Sequence, residues 1–376
     1  IACDLSNAFD RVNRNYLLST LRTMGFNTRF VNLMTVLTAH SKSQIVINGC
    51  TSESFPIKRS VRQGDPLSML LFVLYLQPLL DVLAEICNGP GECVIAYADD
   101  ITIIVRCSSK VRQVLDCFQR FGIAAGAKLN LRKTEAMDIG TPLPNWDGFI
   151  KKDVLKVLGV FFKNNIKDTV AYNWEKVYRN VNGLLWMHRP RLVNIKQKVI
   201  LLNTYICSKL WYMSSILPMP NKYVAQFTKQ FGFFLWNGVA AQRVKMIDTF
   251  RARLQGGLGL HSPDLKTKAL LVNRYLKTLD VTPTLARYMQ MQHIPPDLIH
   301  LKTIKSILES IPQQIIDNPA ASLIYNHLLR QLPPVGITTR FTRNWKSVWK
   351  NINHRNLTSE EKSTFFSSGS WKIASQ

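Results

Sequence analysis

The sequence reads as an α+β chain: an antiparallel sheet backed by helices over residues 1–162, followed by a mostly α-helical remainder. Three observations predict this. Short runs of apolar and β-branched residues recur at Ile1–Leu5, Val94–Val105 and Leu155–Phe162, with the length and composition of strands. Apolar residues at helical spacing separate them, at Asn13–Met24 and Ser108–Ala125. Beyond residue 163 helical spacing continues, broken into pieces by Pro295-Pro296 and Pro333-Pro334.

With 376 residues the chain can hold two or three domains, and its 46% hydrophobic content excludes a disordered chain. The formal net charge of +24 points to a polyanionic partner, nucleic acid first and an anionic membrane surface second. Seven cysteines stand dispersed at positions 3, 50, 87, 93, 107, 117 and 207, without a Cys-x-x-Cys pair. That pattern argues against a disulfide framework or a zinc site and for free thiols in a reducing compartment. A chain that opens on Ile1, already at strand-like residues, is expected to be a piece of a longer protein, and no signal peptide can be read from it. Leu67–Ile86 and Val199–Leu217 are apolar but carry Gln77, Pro78 and Asp81, and Asn203 and Lys209, so both are expected as core helices rather than membrane spans.

Taken in order, Ile1–Leu5 is a strand ending near Asp4, followed by a helix over Asn13–Met24 that Gly25 stops. Asp4 or Asp10 could cap that helix. A helix over Arg29–Ala39 follows, then two strands, Ser43–Asn48 and Ser52–Lys58, joined at Asn48-Gly49, a dipeptide suited to a two-residue turn. In Arg59–Ser68, Gly64 permits close backbone approach to a ligand and Pro66 suits a first helical turn. Arg62 and Gln63 place donors beside that helix's N-terminus, a natural phosphate site, although a basic loop capping a buried helix would also account for Gly and Pro. Val94–Val105 reads as a buried hairpin with Asp99 and Asp100 at its tip. Such a pair is either a solvated turn or the oxygen-donor half of a divalent-cation site, since carboxylates among buried strands need a compensating cation. Ser108–Ala125 is a helix behind the sheet, Gly126–Glu135 a polar turn into a short strand, and Leu155–Phe162 a strand with a bend at its glycine.

Asp4-x4-Phe9-Asp10, Arg62-Gln63-Gly64-x-Pro66-Leu67-Ser68, Tyr97-Ala98-Asp99-Asp100, Gly126-x-Lys128-Leu129-Asn130-x2-Lys133-Thr134 and Leu158-Gly159 together resemble the ordered palm motifs of reverse transcriptases. In detail they are most similar to the enzymes of non-LTR (LINE-type) retrotransposons. Phe231–Trp236 with Asn237, and the Gly256–Leu260 loop, also resemble the tail that follows the polymerase core in these elements. Two positions depart from the pattern: Asp65 stands where Cys is common and Met69 where Pro is common. The fingers region that precedes the first palm Asp in this family, and an upstream endonuclease, do not appear in the sequence, so weak or no catalysis is expected from residues 1–376 alone.

The resemblance implies a right-hand polymerase palm at 1–162, a helical thumb at 163–247 and a mostly helical extension at 248–376. It implies an RNA-directed DNA polymerase that takes dNTPs, an RNA template and a DNA primer or target. Two Mg²⁺ ions, or Mn²⁺, would be held by Asp4 and Asp99, with Asp100 as a weaker ligand and the Leu5 carbonyl completing the sphere. Phe9 would bar the ribose 2′-hydroxyl, unless its ring is simply core. Arg62, Gln63 and Gly64 would position nucleotide and template, Leu158 and Gly159 would grip the primer, and Lys133 would protonate the pyrophosphate or merely be solvated. No membrane partner is expected, the oligomeric state stays open, and the implied location is intracellular, in nucleus and cytoplasm. Two alternatives stand beside this reading: a non-catalytic nucleic-acid-binding remnant, and a reverse transcriptase of another lineage such as a group II intron protein.

Between Lys163 and Lys229 the chain carries 11 Lys or Arg against two acids. A basic helical face following a nucleic-acid backbone is the functional reading. The interleaved Trp174, Tyr178, Trp186, Tyr205, Trp211 and Tyr212 fall at core-like spacing, which favours helix packing over base stacking. Arg340–Lys350 again mixes cations with Trp345 and Trp349; the extension has neither a zinc knuckle nor a ribonuclease H carboxylate set, and His188 and His261 receive no role.

Overall fold

The computed structural model of the chain describes residues 1–332 apart from 40, 63, 141, 144–145, 147, 192, 238–244 and 282–298, with backbone alone at 278–281 and 299–303. Gln63, Pro295-Pro296, Pro333-Pro334, Trp345 and Trp349 lie outside the described residues. The chain divides into two units, Ile1–Thr169 and Val170–Gln376.

The first unit opens with strand β1 (Ala2–Cys3), helices α1 (Arg14–Thr23) and α2 (Thr28–Ala39), and short strands β2 (Lys42–Ser43), β3 (Val46–Ile47), β4 (Cys50–Thr51) and β5 (Phe55–Pro56). It continues through α3 (Ser68–Ile86), β6 (Cys93–Tyr97), β7 (Asp100–Ile104), α4 (Ser108–Ala125), β8 (Glu135–Ala136), β9 (Ile150–Lys151), β10 (Leu155–Val157) and β11 (Val160–Phe162). Strands β6, β7, β1, β8 and β9 form one sheet in that order. Every pair in it is antiparallel except β8–β9, which is parallel. The one parallel pair follows a segment in which Trp146 and Phe149 pack on the core.

Helix α1 starts where Asn13 accepts hydrogen bonds from the backbone N–H groups of Asn15 (3.0 Å) and Tyr16 (3.3 Å), so neither Asp4 nor Asp10 caps it. Gly25, at φ +85°, follows its last turn. Helix α3 presents Leu71, Phe72, Tyr75, Leu76, Leu79 and Leu83 to the core, where it packs on α1 and α4. By length and composition α3 could cross a membrane, but that seam makes it the central helix of the first unit. The Tyr75 hydroxyl donates to the Ala125 carbonyl (2.9 Å), tying α3 to the end of α4. Pro66 does not enter the first turn as expected: Leu67 is the N-cap, and the Asp65 carboxylate accepts the Leu67 N–H at 2.8 Å, a local turn that delays the helix by one residue. Helix α4 spans the residues read from the sequence and ends at Gly126, φ +83°, where a Cβ would stand 3.3 Å from the Arg11 carbonyl. Asn48 and Gly49, both at positive φ, make the β3–β4 turn as expected. Leu155–Phe162 is not a bent strand but a hairpin, β10–β11, turning at Leu158 (φ +45°) and Gly159 (φ +84°).

The second unit carries α5 (Ile166–His188, beginning before the boundary), α6 (Ile195–Leu201), a π-helical turn at Leu202–Ile206, α7 (Ser208–Ser214), α8 (Asn221–Leu235), α9 (Met246–Phe250), α10 (Pro263–Val281), α11 (Ile299–Ser310), α12 (Gln313–Asp317) and α13 (Ala321–Arg330). Trp174 is fully buried and donates its indole N–H to the Pro218 carbonyl at 2.8 Å. Tyr178, Tyr223 and Phe227 pack around it, as core-like spacing predicts. Trp186, Tyr205 and Tyr212 do not follow: they are 75%, 45% and 51% exposed. One cation of the basic stretch is also not on the surface. Lys198 is buried and donates to the carbonyls of Phe234 (3.0 Å) and Leu235 (3.4 Å) and to Asn237 Oδ1, closing the C-terminal end of α8. Asn203, inside the π-turn, holds the Gly256–Leu260 loop with both ends of its amide, donating to Gly259 O (2.8 Å) and accepting from His261 N (2.9 Å). A further core joins α10, α11 and α13 through Val272, Leu276, Ile307, Ile324 and Leu328.

Candidate active site

Strand β1 stops at Cys3 and β7 starts at Asp100, and the two strands are neighbours paired Ala2↔Thr102 and Cys3↔Ile101. One residue further, that register brings Asp4 level with Asp100, and Asp99 precedes it in the turn. The hairpin β6–β7 closes through Tyr97↔Asp100, leaving Ala98 and Asp99 as its two-residue tip, with Ala98 at φ +53°. Its strands are less buried than the run of apolar residues suggests. Ile101 and Ile103 point into the core, whereas Ile95 and Tyr97 are exposed, because only one face of the hairpin has helices behind it. Asp4 and Asp99 are half-buried and Asp100 is exposed.

The residues around Asp4 hold it from the Gly126–Thr134 segment. The Asn130 amide donates to Asp4 Oδ2 at 3.0 Å, the Asn130 N–H donates to the Asp4 carbonyl at 2.8 Å, and the Asp4 N–H donates to Thr134 Oγ1 at 3.2 Å. Thr134 is fully buried. A bridge between Leu5 and Leu129 continues the clasp through Ser6 N to Lys128 O (2.8 Å), so its bonds come from Asp4 and Ser6 and leave the Leu5 carbonyl unspent on it. Asn130 and Thr134 lay inside a motif quoted above, but their contact with Asp4 spans 126 and 130 positions and cannot be read from spacing.

Among the described residues no Lys or Arg forms an ion pair with Asp4, Asp99 or Asp100, although the chain carries 48 such cations. Neither do three His, Cys, Asp or Glu side chains group closely enough there to hold a metal ion by themselves.

Phe9 stands five positions after Asp4, in the segment between β1 and α1. Its ring stacks on Phe72 of α3 with centroids 4.4 Å apart, yet it stays half-buried rather than sealed in the core. The Phe9 and Val12 carbonyls accept the N–H groups of Val61 (3.1 Å) and Ser60 (3.0 Å), which draws the Arg62 segment to the same loop. Arg14 secures that segment from behind, donating to Thr38 O (2.7 Å), Ile57 O (2.8 Å) and Ser60 O (3.2 Å). Burial, and then the neighbouring Arg62, hold the Arg14 guanidinium below its ordinary value. An Arg in the first turn of a helix carries no sequence signal for such a role. Arg62 is exposed and donates to Ser41 Oγ (3.2 Å), and Gly64, at φ +88°, faces open space. Lys133 is exposed, and among the described residues no ion pair or hydrogen bond links it, Arg62 or Gly64 to the three carboxylates. The Leu158–Gly159 tip belongs to a hairpin whose first strand, β10, lies against β1.

Residues 1–162 match the reverse transcriptase (RNA-dependent DNA polymerase) family. The transposon TX1 149 kDa protein of Xenopus laevis is 25% identical over 253 residues, covering 63% of this chain and 19% of that protein. The retrovirus-related Pol polyprotein of the type-2 retrotransposable element R2DM of Drosophila melanogaster is 33% identical over 134 residues, 35% of this chain and 13% of the polyprotein. A Pol polyprotein of the type-1 retrotransposable element R2 of Popillia japonica is 25% identical over 236 residues, covering 56% of this chain and 38% of its own length. The chain thus spans well under half of each of these relatives. Residues 1–162, which hold the ordered motifs and the three carboxylates, are thus a reverse transcriptase domain whose relatives are Pol proteins of non-LTR retrotransposons.

Proposed function

We propose that this chain supplies the palm and thumb of an RNA-directed DNA polymerase, extending a DNA primer on an RNA template during retrotransposition. The observation that carries the reading is the clasp of Asp4 beside the Asp99–Asp100 turn, at the ends of adjacent strands, where among the described residues no Lys or Arg pairs with the carboxylates. Oxygen donors lacking a protein cation suit Mg²⁺ or Mn²⁺, and Mg²⁺ keeps water and phosphate oxygens as further ligands, so a closed cage of three side chains is not required. Asp4 and Asp99, with Asp100 more weakly and the Leu5 carbonyl, would hold two such ions, whose chemistry is to acidify the primer 3′-hydroxyl and neutralise the triphosphate.

The remaining roles fall to the chain's own groups. The Phe9 ring, held by Phe72, excludes a ribose 2′-hydroxyl and so selects deoxynucleotides. Arg62 and Gln63 offer donors to the nucleotide, Gly64 lets template or nucleotide approach its backbone, and Lys133 delivers a proton to the leaving pyrophosphate. The Leu158–Gly159 tip bears on the primer strand. Residues 163–247 act as the thumb that follows the template–primer backbone, residues 248–376 extend it, and the protein works inside the cell, in nucleus and cytoplasm. The test is primer extension on a primed RNA with dNTPs by the longer parent protein that carries this chain, comparing it unsubstituted with Asp99→Asn and Asp4→Asn. Loss of extension with nucleic-acid binding retained supports the reading; extension surviving both substitutions overturns it.

A further inference from the structure

A groove of about 410 Å³ opens on the second unit between α5 and α8, away from the three carboxylates in sequence and belonging wholly to residues 182–234. Its walls are unusual for a packing defect. Trp186, on α5, is 75% exposed at its rim, and Phe233, on α8, is 37% exposed across from it. The Arg189 guanidinium lies over the Phe233 ring, 4.7 Å from its centroid, so a cation is held ready at the same mouth. Two amides, Asn182 and Gln230, also line it, and among the described residues Asn182 Oδ1 is buried without a hydrogen-bond partner. No acidic residue lines it.

Each feature has its counterpart in one chemical group. Two aromatic side chains offer a surface to a flat ring, the Gln230 amide can bond a base edge, and a preset guanidinium meets a phosphate. The volume lies in the range of small-ligand sites. The surrounding stretch, with 11 Lys or Arg against two acids, complements a polyanion. We propose that this groove captures one unpaired base of a single-stranded nucleic acid, with Trp186 and Phe233 against the ring, Gln230 on its edge and Arg189 on the adjoining phosphate.

The proposal deepens the nucleic-acid-binding reading of the second unit and depends on it. Gly183 provides a variant that blocks the groove without unfolding the helix. It lines the groove, lies inside α5, and a Cβ built on it meets nothing within 4 Å. Gly183→Leu therefore fills open space and improves helix propensity. Binding of a short single-stranded RNA, the same RNA carrying abasic sites, and a blunt duplex should be measured on the full chain, unsubstituted and as Trp186→Ala, Gly183→Leu and Arg189→Gln. Loss of one base–aromatic stack predicts roughly ten-fold weaker binding of the single strand by Trp186→Ala and Gly183→Leu. Abasic RNA should bind the unsubstituted, Trp186→Ala and Gly183→Leu proteins equally, their duplex affinity should not move, and Arg189→Gln should lower the salt slope by about one phosphate contact. Unchanged single-strand affinity in both Trp186→Ala and Gly183→Leu, or equal losses on duplex and abasic RNA, overturns the groove as a base site. Failure of the unsubstituted chain to bind any of the three nucleic acids would instead defeat the underlying reading of the unit.

Discussion

Asn130→Ala removes one contact from the candidate active site and leaves the rest of the clasp standing. Its side-chain amide donates to Asp4 Oδ2 at 3.0 Å, while the backbone N–H of residue 130, which bonds the Asp4 carbonyl at 2.8 Å, survives the substitution. Hydrogen bonds to charged groups contribute about 1.5–3 kcal/mol, and the half-buried Asp4 recovers part of that from water, so about 1 kcal/mol of stability should be lost. The larger effect should be kinetic. A carboxylate free to rotate off its productive orientation forfeits transition-state stabilisation, and about 1.4 kcal/mol there is a ten-fold loss of rate. Steady-state primer extension on a primed RNA should therefore slow roughly ten-fold, with nucleic-acid affinity unchanged, since Asn130 is not part of a basic face. Asn130→Asp should be worse, because it sets a second carboxylate where the first accepted a hydrogen bond. Full activity in Asn130→Ala, or a loss of affinity that accounts for the loss of rate, refutes the orienting role.

Phe9→Ala opens the space beside Phe72 and should raise ribonucleotide incorporation relative to deoxynucleotide incorporation; unchanged sugar selectivity in a competition assay would leave Phe9 as a core residue only. Gly257→Ala places a Cβ 2.2 Å from the Arg251 carbonyl, a backbone clash that should destabilise the second unit by about 1–3 kcal/mol, read from the urea midpoint. His188 is buried with neither ring nitrogen bonded, and burial, then Arg191, hold it below its ordinary value of 6.5. The unfolded chain takes up a proton near 6.5 that the folded chain refuses, so stability is full above that pH and falls as pH drops below it. His261, held down by burial and then Lys266, adds to the same slope. Thermal midpoints between about pH 5 and about pH 7.5 should flatten in part for His188→Phe and further for the double His188→Phe, His261→Phe protein; parallel slopes in all three would refute the assignment.

The sequence by itself determined the local elements. Asn13 and Gly25 bound the first helix, Ser108–Ala125 is helical over its whole predicted length, and Asn48-Gly49 makes the expected turn, because caps, apolar spacing and positive-φ residues act over a few positions. The order of the motifs likewise carries the reverse transcriptase resemblance, which the family match over residues 1–162 bears out. The Leu158-Gly159 pair reads in sequence as a bend rather than a turn, since the short apolar run Leu155–Phe162 has the composition of one strand and only its pairing with itself makes it a hairpin. Only the tertiary structure decided what each carboxylate and aromatic does. The β1–β7 register, not the sequence, sets Asp4 beside Asp100, and Asn130 and Thr134 reach Asp4 across 126 and 130 positions. Trp174 and Trp186 share one helix and one basic stretch, yet one is sealed and the other is three-quarters exposed, because Tyr223 and Phe227 of α8 pack on Trp174 whereas Trp186 lines the open groove between α5 and α8. Burial is a property of what packs against a residue, and that partner is chosen by the fold rather than by neighbours in the chain.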